Sequence, residues 1–159
     1  MRLDVAVLLL LPVAVEAGEL SVAVGGMQST CGTVMIGLYD SAEGFKRAVA
    51  AADSAALLIE PTRYAAVALR GTAAAKTTVT FSEVEPGRYA VIVMQDVNNN
   101  TKLDRNILGV PTEPYGFSNN ATGFLAAPSF DAASVTIDDT GQPLEIVLVQ
   151  PCMAATPRP

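Results

Sequence analysis

Apolar and polar residues alternate through much of this chain with a period of two. Leu20-Ser21-Val22-Ala23-Val24 runs into a Gly25-Gly26 turn, and Val34, Ile36 and Leu38 alternate with Met35, Gly37 and Tyr39. Successive side chains of an extended strand point to opposite faces, so each set predicts a strand with one buried face. Thr77-Thr78-Val79-Thr80-Phe81 is rich in β-branched residues and predicts another. After Pro86-Gly87, Arg88 to Gln95 is apolar on both faces, the pattern of a central strand covered from each side. Val135 and Ile137 form a short strand before the Asp138-Asp139-Thr140-Gly141 turn, and Leu144, Ile146 and Leu148 make the last one. Short strands separated by turn residues predict an all-β fold, a single antiparallel β-sandwich. Its core is expected to hold Val34, Ile36, Leu38, Val79, Phe81, Val91, Val93, Ile146 and Leu148.

Three segments depart from that pattern. The Ala-rich stretch from Ser41 begins Ser41-Ala42-Glu43-Gly44 and predicts one short helix near 43–50. Val67 and Leu69 alternate within Ala65 to Ala75, an imperfect strand. Residues 101–131 have almost no periodicity and carry Gly109, Pro111, Pro114, Gly116, Gly123 and Pro128. A connection that long in a compact domain is functional or pinned in place, so a long ordered loop is expected there.

The apolar run Val5 to Val15, preceded by Arg2 and followed by small residues at Val15-Glu16-Ala17, reads as a signal peptide over 1–17. The run is shorter than the ~20 apolar residues that a spanning helix needs, so no membrane span is expected after cleavage. The expected organisation is a signal peptide at 1–17, a β-sandwich domain at 18–153 and a flexible tail at 154–159, with the product periplasmic or secreted. Cleavage removes Arg2, Asp4 and Glu16 and takes the net charge from −6 to −5. An acidic chain without a basic patch argues against nucleic acid or an anionic membrane surface as partner. Two cysteines in an exported protein predict a Cys31–Cys152 disulfide. If the strands beside them lie side by side, that bridge would close most of the domain into a ring.

The chain contains no histidine. Ser–His and Cys–His nucleophile pairs and His metal ligands are therefore excluded, and no catalytic centre or organic cofactor is expected. The catalytic alternative is a carboxylate-dependent hydrolase using Asp96, Asp104 or Glu113. Oxygen-bearing side chains recur at alternate positions in Asp96-Val97-Asn98-Asn99-Asn100-Thr101-Lys102-Leu103-Asp104. Alternate residues of a curling loop share its concave side, and carboxylate and amide oxygens suit Ca²⁺. Asp96, Asn98, Asn100, the Lys102 carbonyl and Asp104 are the candidate ligands. Thr101 and Ile107 stand where an EF-hand needs Gly and Glu, so this is not an EF-hand, and two carboxylates imply weak binding, with Kd on the order of 10⁻⁴–10⁻³ M. The rival reading is an Asx-rich turn that holds itself together. Tyr115, Phe117, Asn119 and Asn120 form a candidate ligand loop for a carbohydrate or peptide. Alternatively, the two asparagines bond neighbouring backbone and Phe117 pins the loop to the sandwich.

Phe81-Ser82-Glu83-Val84-Glu85-Pro86-Gly87-Arg88-Tyr89-Ala90-Val91 runs directly into the Asp96 to Asp104 loop. Leu108-Gly109-Val110-Pro111-Thr112-Glu113-Pro114-Tyr115-Gly116-Phe117-Ser118-Asn119-Asn120 and Pro128-Ser129-Phe130-Asp131-Ala132-Ala133 follow. In this order the motifs resemble DUF2141, a family of exported bacterial proteins of unknown function. The Pro-Gly-x-Tyr-Ala element is also similar to prealbumin-like and carboxypeptidase-regulatory-like sandwiches. The family pattern at the loop reads His-Asp-x-Asn-x-Asn-Gly-Lys-x-Asp, and here Gln95 replaces the His and Thr101 the Gly. The resemblance implies compartment and fold more than activity. The expected function is an exported β-sandwich binding or envelope-associated module, stabilised by Ca²⁺ or by Asx turns, whose partner is an unknown ligand or envelope component.

Overall fold

The computed structural model describes residues 18–27, 32–54, 65–70, 76–138 and 140–149, with only the backbone described for 65–70. Cys31, Cys152, the expected signal peptide and the expected tail lie outside the described residues. The strands are β1 Gly18–Gly25, β2 Thr33–Tyr39, β3 Ala65–Arg70, β4 Lys76–Val84, β5 Gly87–Asp96, β6 Tyr115–Phe117, β7 Val135–Ile137 and β8 Gln142–Val147. They form two sheets. A three-stranded sheet has the order β4-β1-β8, and a five-stranded sheet has the order β3-β2-β5-β6, with β7 also paired to β5.

Period-two patterning becomes a core where the two sheets face each other. Leu20, Val22 and Val24 of β1, Val79 and Phe81 of β4 and Ile146 of β8 meet Val34, Ile36 and Leu38 of β2 and Val91 and Val93 of β5. All nine residues expected in the core are buried. The chain crosses between sheets at Glu85-Pro86, where the Tyr89 hydroxyl donates to the Glu85 carbonyl at 2.7 Å. This bond ties the start of β5 back to the end of β4.

The structure differs from the pattern-based expectation in three places. β1 and β8 pair in parallel, so the smaller sheet is mixed. β2 and β8 lie in different sheets, so the strands flanking the two cysteines are not neighbours. β2 is buried on both faces, not one: Met35 and Tyr39 are 1% and 0% exposed on the side away from the sandwich core. That outer face is covered by helix α1, Ala42–Ala50, whose N-cap is Ser41 with its side chain accepting from Gly44 N–H. Glu43 lies in its first turn and Arg47 in its last, as the helix dipole favours.

The 101–131 segment is ordered but not one loop. It contains an isolated bridge between Arg105 and Pro111, strand β6, a 3₁₀ turn at Ser118–Asn120, and the start of a short helix α2, Phe130–Ala133. Together with α1 it builds a second core on the outer face of the larger sheet, around Met35, Tyr39, Phe45, Ile92, Met94, Leu103 and Phe117. Phe45 of α1 is the centre of this layer, with ring centroids 6.3 Å from Tyr39, 5.8 Å from Phe117 and 6.0 Å from Phe130. Edge and tilted geometries of this kind contribute about 0.5–1.5 kcal/mol each beyond area burial. β6 is short because the strand periodicity of 101–131 is interrupted by glycine and proline, and it forms only because β5 presents an edge to it.

Phe81 is 5% exposed and sits between the sheets. Phe81→Ala should destabilise the fold by about 3–5 kcal/mol, read from urea or thermal unfolding. An unchanged unfolding midpoint would show that its ring does not contribute to the inter-sheet core.

Candidate functional site

β5 ends at Asp96, and the chain then makes a loop held almost wholly by its own side chains. Asp96 is 1% exposed. Its Oδ1 accepts from Asn100 N–H at 3.0 Å and its Oδ2 from Thr101 N–H at 2.7 Å. Asn98 Oδ1 accepts from Asn100 N–H, and Asn100 Oδ1 accepts from Lys102 N–H. The amide nitrogens of Asn98 and Asn100 donate to the two oxygens of Asp104 at 2.7 and 2.9 Å. Asn98, Asn100 and Asp104 thus meet at one spot, while Asp96 is turned toward loop backbone. Short polar side chains bond the backbone two to five residues away and so replace the regular ladder that ends at β5. Thr101 adopts φ 67 and Asn99 φ 60, both left-handed. Thr101 therefore occupies, with strain, the conformation that glycine takes freely.

Glu113 closes this loop from outside. Its Oε1 accepts from Val97 N–H at 2.8 Å and its Oε2 from Asp104 N–H at 3.0 Å, one at each end of the turn. The residue is 5% exposed. Burial pushes its pKa above the ordinary value, with the Asp104 and Asp96 charges adding to the rise and the two N–H bonds opposing it. In the sequence Glu113 is one of several carboxylates; its bonds reach 16 and 9 residues back along the chain, so no local pattern reveals its clasping role. Among the described residues no group of three or more His, Cys, Asp or Glu is placed to hold a metal ion.

The candidate ligand loop divides in two. Tyr115 and Phe117 turn toward the outer face, with ring centroids 6.0 Å apart. Asn119 and Asn120 turn to backbone: Asn119 Nδ2 donates to the carbonyls of Ala132 and Ser134, and Asn120 Nδ2 to that of Glu145. Asn120 Oδ1 also accepts from Val147 N–H at 2.8 Å. Both asparagines have positive φ, 58 and 47. Ser118, fully buried and not singled out by its sequence, accepts from Val91 N–H at 2.8 Å and donates to the Ala133 carbonyl. It satisfies a β5 amide just beyond the point where pairing with β6 ends.

Tyr115 and Phe117 line a groove of about 520 Å³ on the outer face of the larger sheet. Its floor includes Ile92 and Met94 of β5 and Leu103, one wall is Ala48, Val49 and Ala52 at the end of α1, and its rims are the 105–111 and 121–128 segments. Of the residues lining it, Arg105 alone is charged. The two rims carry exposed apolar pairs: Ile107 and Leu108 are 102% and 81% exposed, and Phe124 and Leu125 are 92% and 93%. Isolated exposed hydrophobics are ordinary, whereas here two such pairs flank one apolar groove. Sequence alone carried a signal for them, since apolar pairs inside a Gly- and Pro-rich segment without periodicity belong to no strand face. Among the described residues no helix is long and apolar enough to cross a membrane.

Glu113→Ala removes both clasping bonds and should cost about 2–4 kcal/mol in urea unfolding. Because the folded state holds the Glu113 proton more tightly, this carboxyl's contribution is fully present below its ordinary pKa and is lost as pH rises through the raised value. The stability of wild type relative to Glu113→Gln should therefore be more favourable at pH 4 than at pH 7. A difference that grows with pH would mean that the two N–H bonds outweigh burial.

A family model described as an uncharacterised protein conserved in bacteria, DUF2141, matches residues 22–145, which include both sheets, the Asx-rich loop and the groove. No curated protein and no solved structure matches the chain.

Proposed function

The chain belongs to the DUF2141 family, and we propose that it is an exported, non-catalytic binding module whose site is the apolar groove between the 105–111 and 121–128 rims. The observation that carries this reading is the pairing of a groove of about 520 Å³ with two exposed apolar rims. Ligand pockets have volumes of about 300–1,000 Å³ and apolar linings with few polar groups, which this one matches. Export rests on the apolar run Val5 to Val15 and the small residues near Ala17. A non-catalytic role is supported by the absence of histidine and by the engagement of Asp96, Asp104 and Glu113 with N–H donors. The ligand is apolar or amphiphilic rather than a sugar, because the amides of Asn119 and Asn120 are spent on backbone.

Ala126 is exposed at the groove and its enlargement needs no core rearrangement. A naphthalene dye that brightens in apolar surroundings should bind wild type, and Ala126→Trp should weaken that binding severalfold with the unfolding midpoint little changed. Equal dye binding by the two proteins would remove the groove as the site.

A second reading concerns the Asx-rich loop as a weak Ca²⁺ site that rigidifies one end of the groove. It is favoured by the convergence of the Asn98 and Asn100 amides on the two Asp104 oxygens, where a cation would replace those N–H bonds and draw the amide oxygens away from their Asn100 and Lys102 N–H partners. Asp96 keeps a second lone pair on each oxygen after its bonds to the loop, and with the Lys102 carbonyl it would make up the proposed ligand set. Ca²⁺ at about ten millimolar, above the Kd on the order of 10⁻⁴–10⁻³ M expected for such a loop, should raise the thermal midpoint by mass action. Mg²⁺ should do little, and the double variant Asp96→Ala, Asp104→Ala should lose the rise. No shift and no heat of binding would leave the self-bonded turn as the whole role of these residues.

A further inference from the structure

Resting on the groove reading above, we infer that the ligand is a long-chain fatty acid, its alkyl chain in the groove and its carboxylate on Arg105. Three observations fix the class. The first is volume. The groove, at about 520 Å³, falls within the ~300–1,000 Å³ of small-molecule pockets and has room for an alkyl chain.

The second observation is lining. Apart from Arg105, the groove is bounded by aliphatic and aromatic side chains, glycine and proline, one threonine and Tyr115. A peptide would bring backbone N–H and C=O groups that need partners, and a surface this poor in polar groups offers few. An alkyl chain brings none. The third is charge. Arg105 is exposed at the rim and, like Lys46 and Lys102 among the described residues, makes no ion pair; of these three cations it is the one that lines the groove. Arg105 Nη1 donates to the Gly109 carbonyl at 2.9 Å, which steadies the guanidinium over the groove wall and leaves its other N–H groups available. A planar guanidinium matches a carboxylate with two parallel hydrogen bonds. In a chain of net charge −6, a lone cation at the mouth of an apolar groove attracts an anionic head that the rest of the surface repels. The rim pairs Ile107-Leu108 and Phe124-Leu125 then lie beside the chain as it enters, shielding it from water.

The test is competition of saturated carboxylates against the apolar dye, each below its micelle concentration, on the full exported chain. Affinity should rise roughly two- to fourfold per added methylene, then level off once the chain outgrows the groove. Hexadecanoate should bind two- to fivefold more weakly to Arg105→Gln, with Arg105→Lys intermediate, as for an exposed ion pair. Hexadecanol and a lysophospholipid with a zwitterionic head should bind more weakly than hexadecanoate to wild type and equally to both Arg105 variants. Dye displacement that is equal for acid and alcohol, and insensitive to Arg105, would overturn the fatty-acid inference and leave the groove reading standing. Dye binding unaffected by Ala126→Trp would overturn the groove reading itself. No binding of any probe by wild type would overturn both the inference and the groove reading.

Discussion

Strand β5 is buried on both faces, and that constraint organises the rest of the molecule. Its inner residues Val91 and Val93 complete the inter-sheet core. Its outer residues Ala90, Ile92 and Met94 are also apolar and need a second cover. A sheet with both faces apolar is stable only with a layer on each side. The smaller sheet supplies one, and α1, α2 and the 101–131 segment supply the other. The outer cover is built from short elements and loops, so it packs less continuously than a sheet. The groove lies where that cover leaves the outer face of β5 open.

The loop after β5 has the opposite chemistry for a related reason. Where β5 ends, its ladder partners end too, and the backbone N–H groups of 97–104 need acceptors. Aspartate and asparagine at alternate positions provide them locally, and Glu113 provides two more from across the segment. This fixes both feet of the 105–111 rim: Thr112 N–H donates to the Asp104 carbonyl and Asn106 N–H donates to the Val110 carbonyl. Polar residues thus act as the scaffold and apolar residues as the exposed surface, the reverse of the usual arrangement in a globular domain.

That inversion shapes the functional reading. Residues that attract attention by their chemistry, Asp96, Asn98, Asn100, Glu113, Asn119 and Asn120, are mostly spent on backbone. Residues without distinctive chemistry, Leu108, Leu125, Tyr115 and Phe117, line the space where something can bind. A ligand there would gain free energy from removal of apolar area from water, and in the proposed reading Arg105 would set its polarity rather than supply most of the affinity.

Local pattern was enough to locate most strands and the side of each that faces the inter-sheet core. Alternation placed Val34, Ile36, Leu38, Val79, Phe81, Ile146 and Leu148 in the core, and the double-sided apolar run of Arg88 to Gln95 marked a central strand, because side-chain direction in a strand is a local property of the backbone. The Ser41 cap similarly marked α1. The family motifs and the Asx-rich loop were legible because their bonds span only two to six residues. Only the tertiary structure decided the parallel pairing of β1 with β8, the second buried face of β2, the clasp of Glu113 and the groove. Each of these depends on contacts between residues far apart in the chain. Their formation depends on how the two sheets and their outer layer pack, and no local pattern of residues encodes that.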